Sequence, residues 1–233
     1  LSRRQRQMCI RDSGKSMILS QILLHVMNYT KVLVASMEMR PVIQIARMLS
    51  QVGLNDPTDD GIKDFCDKYK EKLYIYDQQG TTTDKDLFAS LHYGKQVLGC
   101  DVFVIDSLMK IDSISEEDYG AQKKFVNRLS VIARDLGIHV FLVCHTKKTD
   151  ESTLPDATHI LGSSHIRNLV DNILCLWRNK EHEKLANTGD LPEDRKNECT
   201  ALMIVQKQRN YTYEGTFGFW FDIKTLTYKE RPL

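Results

Sequence analysis

The sequence predicts an α/β domain in which helices flank a mostly parallel central sheet and a C-terminal β-hairpin closes the chain. Three short apolar runs support this prediction: KVLVAS at residues 31–36, DVFVID at 101–106 and HVFLVC at 139–144. Continuous apolar runs of this length are typical of strands that are buried on both faces of a sheet. Segments with helical spacing separate them, which favours parallel strands joined by crossover helices.

The remaining elements follow from the same patterns. Apolar residues recur at helical spacing in residues 17–29, and Pro41 suits the first turn of a second helix. Gly137 is placed to end a long amphipathic helix over residues 116–136. The rest of the chain is predicted as a turn-rich stretch at 55–61, a strand at 73–76, a helix at 84–98, strands at 171–177 and 200–205 with a mobile loop at 179–197, and the closing hairpin at 215–228.

Composition places the chain among ordinary globular proteins. Its 233 residues are 42% hydrophobic and 27% charged, with a formal net charge of +1. No apolar run approaches the roughly 18 residues of a membrane span, and no signal-peptide pattern is recognisable, so we expect a cytoplasmic protein without a membrane partner. The near-zero net charge argues against a uniformly basic nucleic-acid coat, but it leaves room for a few DNA-binding loops.

Residues 1–13, LSRRQRQMCIRDS, do not fit the pattern of the rest of the chain. The run is basic, has neither helical nor strand periodicity, and resembles translated sequencing-adapter read-through. We therefore expect residues 1–13 to be non-native, and residues 14–233 to form one domain that lacks its natural N-terminal part. A natural basic tail is the alternative interpretation.

A Ser-Gly-Lys-Ser tetrapeptide, Ser13, Gly14, Lys15 and Ser16, has the pattern that ends a phosphate-binding loop, G-x-x-x-x-G-K-[ST]. The glycine allows the backbone to approach phosphates, the lysine reaches the β- and γ-phosphates, and the serine hydroxyl holds Mg²⁺. Cys9 stands where the first glycine of the pattern belongs. Gly-Lys-Ser alone is a weak motif, and this departure predicts poor nucleotide binding by the chain as it stands.

Three polar residues end or follow predicted strands, at the sheet edge where α/β proteins bind ligands. Asp106 ends its strand as a Walker B carboxylate does, and with Ser16 it is a candidate for the Mg²⁺ site. Glu38 could orient and deprotonate an attacking water, although its spacing equally allows a solvated or helix-capping acid. His145 could sense a γ-phosphate, although a lone histidine at a strand end is also commonly structural.

Two pairs of cations are candidates for phosphate contacts. Lys147 and Lys148 follow the third apolar run and could bind phosphodiesters, although two lysines also suit a solvated loop. Lys207 and Arg209 lie at alternate positions after the last apolar run, so both could project onto one phosphate. An arginine there could stabilise the charge that develops in phosphoryl transfer, although strand-end cations are commonly inert.

Taken in order, these segments resemble the RecA-fold helicase domain of the DnaB family, a RecA-like P-loop NTPase fold. The resemblance rests on Ser-Gly-Lys-Ser, SMEMRPVIQIARMLSQ, DVFVIDSLMKI, HVFLVCHTKK and IVQKQRN, and it covers nearly everything from Gly14 onwards. His145 and the segment GSSHIRNLVDN at 162–172 are more similar to the primase-helicases of T-odd phages and to mitochondrial Twinkle, because the DnaB branch usually has glutamine at the histidine position.

The resemblance implies ATP, or another nucleoside triphosphate, and Mg²⁺ as cofactors. It assigns phosphate and Mg²⁺ binding to Lys15 and Ser16, the role of catalytic base to Glu38, and the Walker B site to Asp106. His145 would couple the γ-phosphate to the DNA-binding loops.

The resemblance also implies single-stranded DNA as a partner. Lys147 and Lys148 lie where the family has a loop that contacts DNA in a central channel. Residues 161–168 match a second channel loop, with Arg167 as a possible DNA contact.

A homo-oligomeric ring, usually a hexamer, is a further implication, since the family binds ATP between subunits. Arg209 would act in trans as an arginine finger on the neighbouring subunit, with Lys207 beside it. Such rings pull one DNA strand through the channel and move 5′ to 3′ along it, and a primase and a helicase loader would be further partners.

Two other interpretations remain. One is a RecA- or KaiC-like P-loop ATPase, since DVFVIDSL also resembles the Walker B segment of recombinases; Met-Glu-Met and Lys-Gln-Arg-Asn favour the helicase. The other is a ring component that binds nucleotide without turning it over. The presence of Lys15, Glu38, Asp106 and Arg209 favours an enzyme.

Overall fold

The computed structural model of the chain describes residues 14–115, 117–144, 154, 164–210 and 212–230. Helices and strands alternate through the first half, and strands dominate the second. In chain order the elements are α1 (Lys15–Val26), β1 (Val32–Ser36), α2 (Pro41–Gln51), α3 (Asp59–Tyr69), β2 (Leu73–Ile75), α4 (Asp84–Gln96), β3 (Val102–Asp106), a 3-10 turn (Leu108–Lys110), α5 (Tyr119–Leu136), β4 (His139–Leu142), α6 (Ser164–Leu169), β5 (Asn172–Arg178), α7 (Lys180–Thr188), a second 3-10 turn (Glu193–Arg195), β6 (Ala201–Gln208), β7 (Gly215–Asp222) and β8 (Thr227–Lys229).

The first sheet has the strand order β2-β1-β3-β4, and all of its pairs are parallel. Strands β1 and β3 pair in register from Val32 opposite Val102 to Ser36 opposite Asp106. Their carboxyl ends therefore coincide at one edge of the sheet. This confirms the α/β prediction of a parallel central sheet flanked by helices.

Side chains on the two faces of this sheet pack into two cores. Leu33 and Phe103 belong to the core that α4 and α5 cover. Val34 and Val104 point to the other core, which α1, α2 and α3 cover. Because both faces are buried, the strands are apolar along their whole length, which explains why they were recognisable as continuous apolar runs.

Two predicted helix boundaries are confirmed. Pro41 occupies the first turn of α2, and Gly137 follows α5 in the left-handed conformation, with φ of 62°. The start of α5 differs from the prediction, because the helix begins at Tyr119 rather than at residue 116. The Asp118 side chain accepts a hydrogen bond from the Ala121 backbone N–H and so caps the helix there.

The second sheet has the order β5-β6-β7-β8 and is antiparallel throughout. It contains the predicted closing hairpin as β7 and β8. The strands predicted at 171–177 and 200–205 are present as β5 and β6, but they pair with each other and not with the parallel sheet.

Two segments predicted as turn or loop are helical. The stretch at 55–61 runs into α3, whose first turn is capped by the Thr58 side chain accepting from the Gly61 N–H. The prediction of a mobile loop at 179–197 was wrong, because α7 and a 3-10 turn occupy most of this segment. Asn179 caps α7 by accepting a hydrogen bond from the His182 N–H.

The last hairpin is bound to the first helix through two glutamines. Gln21 on α1 donates from Nε2 to the Tyr228 carbonyl (2.9 Å) and accepts from the Tyr228 N–H at Oε1 (2.8 Å). Gln51 on α2 donates from Nε2 to the carbonyls of Met17 (2.8 Å) and Leu226 (2.9 Å). Strand β8 therefore supports α1 directly.

In the part of the chain that the structure describes, no helix is both long and apolar enough to cross a bilayer.

Two helical glycines give a stability test of the first core. A Cβ at Gly94 would lie 2.6 Å from Phe103 Cε1, whereas one at Gly61 would meet side chains at ordinary contact distances of 3.5 Å or more. Gly94→Ala is therefore expected to lower the free energy of unfolding by about 1–3 kcal/mol through overpacking. Gly61→Ala should raise it by about 0.5–1 kcal/mol, because alanine loses less entropy in a helix. Urea unfolding of both variants measures this, and equal effects would contradict the packing at Gly94.

Candidate nucleotide-binding site

The N-terminal end of α1 lies at the carboxyl edge of the parallel sheet. Gly14 precedes it with φ of 74°, and its carbonyl accepts hydrogen bonds from the Met17 and Ile18 N–H groups, both at 3.0 Å. A Cβ at Gly14 would overlap the Tyr228 hydroxyl, so both the backbone angle and the space require glycine. The helix terminus carries partial positive charge and suits an anion.

Ser16 and Asp106 meet across α1 and β3. The Ser16 Oγ donates a hydrogen bond to Asp106 Oδ2 at 2.7 Å, and Asp106 is buried, with 6% of its surface exposed. A hydroxyl and a carboxylate oxygen are hard ligands of the type that Mg²⁺ prefers. The pair therefore fits the magnesium site that the sequence implies.

Lys15 reaches from α1 to the end of β4. Its Nζ donates to the Cys144 carbonyl oxygen at 2.8 Å. Burial raises the pKa of the Cys144 thiol to about 11, while the nearby Lys15 charge acts in the opposite direction. The thiol thus stays neutral, and the ammonium is held by a backbone oxygen that a phosphate oxygen could replace.

Glu38 is held at the same edge by Ser107. The Ser107 Oγ donates to Glu38 Oε1 at 3.0 Å, and Ser107 is fully buried. The backbone reinforces this link, because the Met37 N–H donates to the Asp106 carbonyl at 2.9 Å. The structure thus brings Lys15, Ser16, Glu38 and Asp106 to one edge of the sheet.

A buried chain of hydrogen bonds fixes α1 against α2. The Gln44 Nε2 donates to Ser20 Oγ at 2.8 Å, and Ser20 Oγ donates to the Ser16 carbonyl at 2.7 Å. Gln44 and Ser20 are both buried. These bonds hold the turn of α1 that carries the candidate ligand Ser16.

Comparison with known proteins agrees with this geometry. Residues 9–151, more than half of the chain, match the family described as AAA domain. The chain belongs to the AAA domain family.

The AAA domain is also similar to individual helicases. A DNA helicase/primase of Enterobacteria phage T3 is 30% identical over 132 residues, which are 52% of this chain and 22% of that protein. The chain thus matches only about a fifth of that relative's length.

Two solved structures share the fold. One, described as an ATPase domain, has a TM-score of 0.72 at 16% identity and covers 96% of this chain and 82% of its own. A DnaB-like replicative helicase, solved in a study of its interactions with primase, has a TM-score of 0.71 at 15% identity and covers 93% of this chain and 54% of its own. Together with the phage relative they confirm the resemblance to a DnaB-like helicase motor domain.

Lys207 and Arg209 lie at the end of β6 and contact α6 and the segment that joins it to β5. Lys207 Nζ donates to the carbonyls of Arg167 (2.8 Å) and Val170 (2.7 Å). The Arg209 guanidinium donates to Asp171 Oδ1 at 2.7 Å. The described hydrogen bonds of these two side chains therefore stay on α6 and on the segment that joins it to β5, and none reaches the Ser16–Asp106 pair.

The remaining predicted site residues divide between described and undescribed segments. Ser13, His145, Lys147 and Lys148 lie outside the described residues. Of the predicted second DNA loop at 161–168, the first three residues also lie outside, and the rest is helical, within α6.

Sequence reasoning missed a group of side chains beside Gly14. The Arg178 guanidinium donates from Nε and Nη2 to the two Glu183 carboxylate oxygens (2.9 and 2.8 Å), and it lies over the Phe221 ring at 5.2 Å. The Tyr228 hydroxyl is buried and has no hydrogen-bond partner among the described residues, and burial raises its pKa to about 12. These residues lie in β5, α7 and the last hairpin. The sequence predicted only strands and a loop in these segments.

Proposed function

We propose that this AAA domain is the ATP-hydrolysing motor of a ring-shaped replicative DNA helicase. The Ser16–Asp106 hydrogen bond carries the proposal, because it joins the helix that ends a phosphate-binding motif to the acidic end of a buried strand. Lys15 and Glu38 lie at the same edge, so phosphate binding, metal binding and water activation share one site.

The residues of the site have distinct parts in hydrolysis. Ser16 and Asp106 would hold Mg²⁺, which neutralises charge on the phosphates when bound. Lys15 exchanges the Cys144 carbonyl for an oxygen of the β- or γ-phosphate. Glu38, fixed by Ser107, accepts the proton of the attacking water.

The other predicted residues act between subunits of the ring and on DNA. Arg209, with Lys207 beside it, acts on ATP bound by the neighbouring subunit. His145, Lys147, Lys148 and Arg167 link the nucleotide to single-stranded DNA in the channel.

The movement we propose is 5′ to 3′ within a hexamer, in the cytoplasm of a bacterium or of a phage-infected cell. Support comes from the relative described as a DNA helicase/primase and from the DnaB-like helicase solved for its interactions with primase. A primase and a helicase loader are accordingly proposed as partners.

DNA-stimulated ATP hydrolysis tests the proposal. The full chain is assayed with and without single-stranded DNA, both as it stands and with Cys9→Gly, which restores the first glycine of the phosphate-loop pattern. We expect Cys9→Gly to tighten nucleotide binding, because glycine allows the loop backbone to approach the phosphates. Hydrolysis should then rise severalfold or more on adding DNA, and Lys15→Ala should abolish it.

Each contrary outcome identifies an alternative. Hydrolysis that is indifferent to DNA would reject the helicase and favour a RecA- or KaiC-like ATPase. Nucleotide binding without hydrolysis in the Cys9→Gly chain would favour a ring component without turnover.

A further inference from the structure

The C-terminal end of α6 is capped by the two cations that are proposed to act on the neighbouring subunit. Lys207 donates to the carbonyls of Arg167 and Val170, and Arg209 Nη2 donates to the carbonyl of Asn168 at 3.0 Å. The last carbonyls of a helix lack partners within it and carry partial negative charge. Cations at the end of β6 therefore stabilise this helix end.

The two attachments differ in how easily they can be broken. Lys207 is partly buried and bonded to two backbone oxygens. Arg209 and its carboxylate partner Asp171 are both exposed, with 51% and 58% of their side-chain surfaces accessible. An exposed ion pair contributes little to stability, whereas an arginine pairs strongly and in two-point geometry with a phosphate. A phosphate could therefore take Arg209 from Asp171 without disturbing Lys207.

The acceptors of Arg209 lie at or just after the C-terminal end of α6, the helix that carries the proposed DNA contact. Asn168 belongs to α6, and Asp171 immediately precedes β5. Arg167, the proposed DNA contact, is the residue before Asn168. A displacement of α6 by DNA would thus move the Asn168 carbonyl directly and strain its bond to Arg209.

We propose that Asp171 is a positioning residue that holds Arg209 on its own subunit until DNA is bound. Without DNA, Asp171 and the Asn168 carbonyl keep the guanidinium at the end of α6. When DNA shifts α6, these bonds weaken and Arg209 becomes available to ATP on the neighbouring subunit, while Lys207 keeps β6 attached to α6. This inference rests on the proposed function and gives it a route from DNA binding to hydrolysis.

Asp171→Asn in the full chain with Cys9→Gly tests the inference. Asparagine keeps the size of the side chain and removes the charge that holds Arg209. We expect ATP hydrolysis without DNA to rise about fivefold, and the factor by which DNA stimulates hydrolysis to fall accordingly. Adding Arg209→Ala to Asp171→Asn should remove this gain entirely, because Asp171 acts only through Arg209.

The control is Asp190→Asn, which removes another exposed negative charge, one whose side chain makes no hydrogen bond within the described residues. It should leave both rates unchanged. Burial lowers the pKa of His139 while Asp171 opposes that shift, so assays at about pH 8 keep His139 neutral in every variant.

Three results would overturn the inference. If Asp171→Asn lowers hydrolysis by the same factor with and without DNA and also lowers the melting temperature, the ion pair is only structural. If Asp171→Asn hydrolyses ATP without DNA at the same rate as the Cys9→Gly parent, and DNA stimulates both equally, Asp171 does not hold Arg209, but the proposed function stays intact. If the parent shows hydrolysis without any DNA stimulation, the proposed function fails and this inference fails with it.

Discussion

Replacing Arg209 by alanine in the Cys9→Gly chain, the parent for the variants below, is expected to lower ATP turnover by about 10³–10⁵-fold while nucleotide binding stays nearly unchanged. The reason is that an arginine finger stabilises charge that develops only in the transition state of phosphoryl transfer. Within its own subunit Arg209 bonds to Asp171 and Asn168 and not to Ser16 or Asp106. Steady-state hydrolysis with saturating DNA, beside a titration with a fluorescent ATP analogue, measures the two effects separately.

A mixing experiment tests whether Arg209 acts between subunits. Arg209→Ala supplies an intact phosphate-binding site, and Lys15→Ala supplies an intact finger. Each variant should be inactive alone, whereas mixed assemblies should regain part of the parent activity. Arg134→Ala, which removes an exposed arginine that pairs with Asp135 on α5, is the matched control and should be fully active. Failure of the mixture to recover activity, with mixed assembly shown by a pull-down, would contradict action in trans.

Replacing Glu38 by glutamine is expected to reduce kcat by about 10²–10⁴-fold, the usual contribution of a general base. Glutamine has the same shape, and its amide oxygen can still accept the hydrogen bond from Ser107. Nucleotide binding and melting temperature should therefore change little. Single-turnover hydrolysis measures the chemical step directly.

Ser107→Ala tests the same catalytic role of Glu38 with a smaller expected effect. It removes a hydrogen bond to a charged group, which is worth about 1.5–3 kcal/mol, and so should slow hydrolysis by about 10–100-fold. Its effect should vanish in the Glu38→Gln background, since Ser107 acts by holding that carboxylate. If Glu38→Gln keeps near-parent activity but melts at a lower temperature, Glu38 is instead a structural acid at the entry to α2.

The edge of the parallel sheet could be predicted from the sequence because its strands are apolar throughout. Buried strands leave a strong signal, and the residue that ends each one then lies at a defined edge. In this way Asp106 was expected beside Ser16, and the register of β1 with β3 agrees with that expectation. Pro41 and Gly137 were equally readable, because their backbone angles are restricted or unusual.

Helices α3 and α7 were missed because their composition is mostly polar. The segment KEHEKLANT of α7 has no apolar stripe long enough to show helical spacing. Local signals were nevertheless present, since Asn179 can cap a helix and Gly189 can end one. The antiparallel pairing of β5 and β6 was missed for a different reason: a loop was predicted between the two strands, and a connection of that length allows either strand direction.

The hydrogen-bond partners of Lys15 and Lys207 could not be predicted from the sequence. Lys15 bonds to the carbonyl of Cys144, and Lys207 bonds to the carbonyls of Arg167 and Val170. Every residue has a backbone carbonyl, so no side-chain pattern marks these acceptors. Only the path of the chain brings them within reach.

The two glutamines that bind α1 to the last hairpin have a consequence for synthesis of the protein. The Gln21–Tyr228 contact joins residues 207 positions apart. At about 5–20 residues per second, a ribosome needs roughly 10–40 s to make the chain between them. During that time α1 leaves the ribosome without its support from β8, so the helix that carries Lys15 and Ser16 is among the last to reach its final surroundings.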